Sequence, residues 1–152
     1  MMADTDDGAL GVASPGSDRS LALEAHGVDD VAAFRHAVAE FLGRRGVPST
    51  VVDDLELVIS ELVTNAIVHQ RSDHAVSLRV ELTESIDVEV SNYGSAAAIP
   101  SVEDWRVASP YEMSGRGLGI VRRLCDDAVI RQDGDRVVVA CRRHRPEGRS
   151  TP

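Results

Sequence analysis

The chain contains no lysine: all 16 basic residues are arginine, against 25 Asp and Glu, for a formal net charge of −9. An acidic chain lacks the excess of positive charge that displaces counterions from a nucleic acid, so no direct nucleic-acid partner is expected. Without lysine a P-loop is excluded as well. Cysteine is scarce, with Cys125 and Cys141 in apolar contexts and at no metal-ligand spacing. They read as reduced core residues of a cytoplasmic protein. No apolar run approaches the length of a membrane span, and the N-terminus lacks a basic region followed by an apolar stretch. The cytoplasm is the expected compartment, with no membrane partner. No Ser/His/Asp elbow, Cys/His pair or zinc spacing is present, which argues against an ordinary metabolic enzyme.

What is present is enough for one domain. The 152 residues are 43% hydrophobic, sufficient to bury a core. Residues 1–18, rich in Asp, Gly, Ser and Ala, read as a disordered acidic tail, and 146–152 as a second tail. The ordered domain is expected over 19–145. Within it Leu21 and Leu23 alternate with polar or small neighbours, a strand signal. Val31, Phe34, Val38, Phe41 and Leu42 recur at helical spacing up to a stop at Gly46. A second helix runs to about His69, with Ser49 or Thr50 as its cap and Asp53 and Asp54 suited to its positive end. "VSLRVEL" and "IDVEVSN" alternate strictly and predict a hairpin. A long aperiodic loop from Tyr93 to Gly115 suggests a lid. "GLGIVRRLCDD" predicts a glycine-opened helix, and "AVIRQDGDRVVVACRR" a second hairpin turning at Asp133-Gly134. The expected class is α+β, a two-layer sandwich whose mixed, mostly antiparallel sheet carries the helices on one face.

Two stretches carry chemistry. In "SELVTNAIVH" Glu61 and Asn65 stand four residues apart, on one face of a largely apolar helix. Either that face is wet and both side chains are solvated, or it lines a cavity. In the second case Asn65 offers a neutral oxygen to a hard cation and Glu61 acts as a general base. His69 extends the row and reads as structural. In "SGRGLGIVRRL", closely spaced glycines at 115, 117 and 119 precede an apolar helix. Glycine allows backbone to approach phosphate closely, and a helix N-terminus supplies free N–H groups and positive dipole. The alternative is a flexible hinge and helix start.

Taken together, "ELVTNA", a strand ending near "NYG", a long loop and "GRGLGIV" resemble the GHKL ATPase superfamily. Within it the chain is most similar to small stand-alone bacterial anti-sigma factors that are also serine/threonine-protein kinases. The resemblance spans roughly residues 20–145. It implies Glu61 as catalytic base and Asn65 as the Mg²⁺ ligand. It implies Ser114, Gly115, Arg116, Gly117, Leu118 and Gly119 as the phosphate-binding box, with the loop from Tyr93 to Ser114 as nucleotide lid. It implies ATP and Mg²⁺ as cofactors, and a sigma factor and an anti-anti-sigma protein of the STAS type as partners. A homodimer formed through the sheet edge and first helix is implied too.

The chain departs from the family pattern at Asn92. The family has an aspartate that accepts from the adenine amino group, with a glycine two residues on, here Gly94. A neutral acceptor forfeits roughly 1 kcal/mol of that bond. A flipped amide would instead donate and suit a keto base such as guanine. Ala96 replaces another family glycine, and a small hydroxyl residue of the last hairpin is replaced at Asp135 or Arg136. Two functions compete: an ATP-dependent kinase of an anti-anti-sigma protein that also sequesters a sigma factor, or a binding module whose degraded pocket holds a partner without turnover. Trp105 and Tyr111 in the lid serve either a partner, the nucleotide or packing onto the body. Arg122 and Arg123 read as solvated.

Overall fold

A computed structural model describes residues 18–71, 73–105 and 116–145. The expected tail at 1–18 apart from Asp18, the expected tail at 146–152, and the stretch 106–115 with Tyr111, Ser114 and Gly115, lie outside the described residues. The elements run β1 (Ser20–Ala25), α1 (Val31–Arg44), α2 (Ser49–His69), β2 (Val76–Leu82), β3 (Ser85–Tyr93), α3 (Arg116–Leu124), β4 (Asp127–Asp133) and β5 (Arg136–His144). Short 3-10 turns precede α1 and occupy Ala96–Ala98 and Val102–Asp104.

Five strands form one sheet in the order β1-β2-β3-β5-β4. All four pairings are antiparallel, so among the described residues the sheet has no mixed component. Period-two alternation divides the sheet. Leu78, Val80, Ile86, Val88, Val90, Val137, Val139 and Cys141 are buried beneath the helices. The opposite face carries Arg79, Asp87, Glu89, Arg131 and Arg142, with Arg142 paired to Asp87 at 2.7 Å. That exposed pair adds little to stability. α2 is the central helix, with Leu55, Val58, Ile59, Leu62 and Val63 within 1% of full burial. It packs against α1, α3, β2 and β3.

Several local expectations need correction. α2 begins at Ser49 itself, so neither Ser49 nor Thr50 caps it. Pro48, in an extended conformation, takes the cap position, and its carbonyl accepts from the N–H groups of Val51 and Val52 at 3.0 Å. Asp54 does not simply face the helix dipole. It accepts from Arg143 at 2.9 Å, and the same guanidinium donates to the Leu124 carbonyl at 3.0 Å. One side chain of β5 thus ties α2 to the end of α3. The last hairpin turns at Gly134-Asp135, one residue later than expected, because Gly134 is the residue at φ +64°.

Candidate functional site

The polar face of α2 points at α3. Glu61 and Asn65 are both half-buried, flanked by the buried Val58, Leu62 and Ala66. α3 begins at Arg116, so Gly117, Leu118 and Gly119 lie inside its first turn and not in a loop ahead of it. Leu118 and Val121 are buried and seat the helix. This brings Gly117 directly onto the Glu61 side chain. A methyl group at Gly117 would sit 2.0 Å from Glu61 Oε1 and 2.8 Å from its carboxyl carbon. A side chain at 117 would fit only if the Glu61 carboxylate moved away. The first N–H groups of α3 and the positive end of its dipole therefore lie beside the carboxylate.

The other end of the site is built on the C-terminus of β3. Asn92 is 3% exposed. Its Nδ2 donates to the Tyr93 carbonyl at 3.3 Å and the His69 carbonyl at 3.5 Å. A flip would set Oδ1 against both carbonyl oxygens, so the amide orientation follows from its neighbours. The donor is committed inward and Oδ1 remains an acceptor, without a donor partner among the described residues. A Cβ at Gly94 would come within 3.2 Å of both Asn92 Nδ2 and the His69 oxygen. The contribution of His69 is its carbonyl, while Gln70 Oε1 accepts from the Tyr93 N–H at 2.7 Å. Arg71 N–H donates to the Tyr93 carbonyl at 2.9 Å, completing the seam between the α2 exit and β3.

Register identifies the residue beside Asn92 on β5. Val137 is its direct partner, whereas Arg136 opposes Tyr93 on the other face of the sheet. Val137 is buried and has no hydroxyl to offer beside Asn92. Arg136 instead donates to the Ser91 hydroxyl and lies over the Tyr93 ring, 5.5 Å from its centroid.

The first part of the expected lid, residues 94–105, is packed onto the body. Ile99 and Trp105 are buried, and the indole N–H donates to the Pro100 carbonyl at 2.8 Å. For Trp105 the packing alternative holds. Two side chains fasten this segment. Arg122 of α3, expected to be solvated, donates to the carbonyls of Val102, Glu103 and Trp105 at 2.9–3.4 Å. Gln132 of β4 donates to the carbonyls of Gly94, Gly134 and Arg136 and accepts from the Ala96 N–H at 2.7 Å. Its only sequence signal is a polar residue continuing the row of Ala128 and Ile130.

Cys125, just past α3, and the buried Cys141 of β5 are both free thiols. They share a hydrogen bond. That bond lowers the pKa of Cys125, while the same bond and burial push Cys141 far up. Among the described residues no group of His, Cys, Asp or Glu is arranged to hold a metal, and no helix is long and apolar enough to cross a membrane.

The structure thus joins Glu61 to Gly117, and Asn92 to Gly94 and the end of α2, with Asn65 one turn from Glu61 toward Asn92. The comparisons bear on the fold that carries these residues. A family model described as the histidine kinase-like ATPase domain matches residues 25–142, well over half of the chain. Among solved structures, the RsbU and RsbW domains of Rv1364c from Mycobacterium tuberculosis match with a TM-score of 0.62 at 16% identity, over 83% of this chain and 32% of that one. The chain thus spans about a third of that neighbour. The SiaB–SiaC complex from Pseudomonas aeruginosa matches with a TM-score of 0.61 at 15% identity, over 83% of this chain and 91% of that one. At these identities the likeness establishes the fold. No curated protein matches the sequence.

Proposed function

The chain belongs to the histidine kinase-like ATPase domain family, and from that premise we propose that it is an ATP-dependent serine/threonine-protein kinase acting in a partner-switching system. The carrying observation is the contact of Glu61 with Gly117, with Asn65 one turn along the same face. A carboxylate held against the first turn of a glycine-opened helix stands beside backbone donors suited to phosphate. It is in position to take the proton of an incoming serine hydroxyl as that oxygen attacks the γ-phosphorus and ADP departs. The Asn65 amide oxygen suits a hard cation. Mg²⁺ held there would neutralise charge on the phosphates.

The Asn92 geometry supports adenine over guanine. With Nδ2 engaged by two carbonyls, Oδ1 is left to accept from a 6-amino group, whereas a 6-keto base would present it with another acceptor. This weakens the case for the nucleotide-free binding module, which rested on Asn92 and Ala96. The STAS-type anti-anti-sigma substrate, the sigma factor, the homodimer and the cytoplasmic location belong to the same reading. It is supported by the likeness to an RsbW domain and to SiaB–SiaC, a complex in its own right.

The test is isothermal titration with ATP, ADP and GTP in Mg²⁺, on the wild type and Asn65→Ala. The expected result is micromolar ATP binding, weaker GTP binding, and loss of at least about tenfold in the variant, the loss of one charge-assisted contact. A folded sample that binds no nucleotide would overturn the kinase reading and leave the binding module.

A further inference from the structure

Both cysteines stand apart from the face that holds Glu61 and Asn65, and the transfer step uses neither. Cys125 is the first residue past α3, and its N–H donates to the Val121 carbonyl at 3.0 Å. Cys141 lies on the inner face of β5 and is 3% exposed. The Asp126 N–H donates to the Arg142 carbonyl at 2.7 Å, so the residues next to the two cysteines are joined backbone to backbone. Cys125 is half-buried and packs on the core cluster to which Cys141 belongs. There the side chains meet, with the Cys141 thiol donating to the Cys125 sulfur.

A disulfide requires two backbones side by side and side chains that face one another. Hydrogen-bonded thiols whose chain neighbours are themselves bonded meet both conditions. The two sulfurs are unequal. Accepting a hydrogen bond from Cys141 holds Cys125 below the usual thiol range. Burial opposes that shift, as do the Asp126 and Asp54 carboxylates, and the Arg143 guanidinium adds to it. Cys141, the donor, is kept protonated by the same bond and by burial. A more accessible thiol that ionises readily, beside a sheltered second thiol, is the arrangement in which the first is oxidised and the second resolves it.

We propose that Cys125 and Cys141 are a peroxide-sensitive dithiol that closes to an intramolecular disulfide and fastens the end of α3 to β5. The Cys125 thiolate attacks one oxygen of hydrogen peroxide, the O–O bond breaks and hydroxide leaves. The sulfur is oxidised to a sulfenic acid and the peroxide is reduced. The Cys141 sulfur then attacks the Cys125 sulfur, the S–O bond breaks, and the oxygen departs as water with the Cys141 proton. The other end of α3 carries Gly117 against Glu61, so a bond at Cys125 restrains the helix that closes that face.

The test treats the reduced full chain with hydrogen peroxide and reads it by non-reducing intact mass spectrometry and peptide mapping. The expected product has lost the mass of two hydrogen atoms, and trypsin, which cuts after Arg131 and Arg136, leaves the Cys125 and Cys141 fragments linked until dithiothreitol is added. Cys141→Ser should stop at the sulfenic acid, trapped by dimedone at Cys125. Cys125→Ser should react at least about tenfold more slowly and form no link. In the linked wild type, hydrogen exchange across α3 should slow by at least about tenfold. Oxygen uptake at Cys125 without a link, a link between two chains, no reaction at all, or unchanged exchange in α3 of the linked protein would overturn the proposal. The wild-type measurements need no variant, so they decide even where serine at 141 unsettles the core.

Discussion

Gly117→Ala tests the central contact with a single methyl group. The added carbon would lie 2.0 Å from Glu61 Oε1, and ordinary contact begins at 3.4 Å, so the carboxylate must move by about 1.4 Å or α3 must lift. Two effects on stability oppose each other. Ala in place of Gly within a helix gains about 0.8–1 kcal/mol. Overpacking of a filled site costs about 1–3 kcal/mol. The net expectation is a loss of up to about 2 kcal/mol, a fall in Tm of roughly 4–8 °C for a chain of this size. Phosphoryl transfer should suffer more, because misplacing a catalytic group by about 1 Å reduces rate on the order of a hundredfold. Gly43→Ala in α1 is the control, since nothing lies within 4 Å of its added carbon. It should be neutral or stabilising. Glu61→Ala removes the atoms in collision and leaves its own Cβ 3.3 Å from the new one, so the double variant should regain stability but not activity. Thermal melts of all four proteins and single-turnover transfer assays decide the matter. A Gly117→Ala protein that melts like Gly43→Ala and retains its wild-type rate would refute the geometry and the role of Glu61 together.

Three further outcomes are expected. Asn92→Asp replaces a donor facing two carbonyls with an oxygen, and should lower stability by about 1–3 kcal/mol in urea unfolding; unchanged stability would mean that the amide is oriented otherwise. Arg122→Ala releases three carbonyls near Trp105, the sole tryptophan, so emission should shift to the red with a loss of about 1–3 kcal/mol; an unshifted spectrum would show that the segment is held by packing alone. At neutral pH a thiol reagent should modify Cys125 ahead of Cys141, because Cys125 is the lowered partner while Cys141 stays protonated and buried; equal rates by mass spectrometry would contradict the shared hydrogen bond.

The layers of this fold were legible because apolar periodicity is strong in them. Phe34, Val38 and Leu42 marked α1, and the alternation from Val76 to Ser91 marked the hairpin with its inner face correct. Glu61 and Asn65 were legible as polar intrusions in an apolar helix. The orientation of Asn92 was not, since it depends on the His69 carbonyl, 23 residues away along the chain. The cap of α2 was misjudged because a proline directly before the helix left no residue free to use its side chain. The pairing of Asn92 with Val137 is a matter of register between strands more than 40 residues apart, which alternation within each strand does not set. Arg122 and Gln132 bind backbone carbonyls, and such partners leave no trace in residue identity.

The placement of β3 as the middle of five strands has a consequence for fluctuations. Its N–H groups are bonded on both sides, so exposing them to exchange requires rupture of the sheet, near the global unfolding free energy. α3 has nine residues and rests chiefly on α2. Its opening is a smaller, local event. A nucleotide spanning Asn92 and Gly117 would couple these two depths. Ligand linkage raises the free energy only of openings that dismantle the site. Saturation would therefore slow exchange in α3 toward that of β3, while the outer strand β1 continued to fray at its own rate.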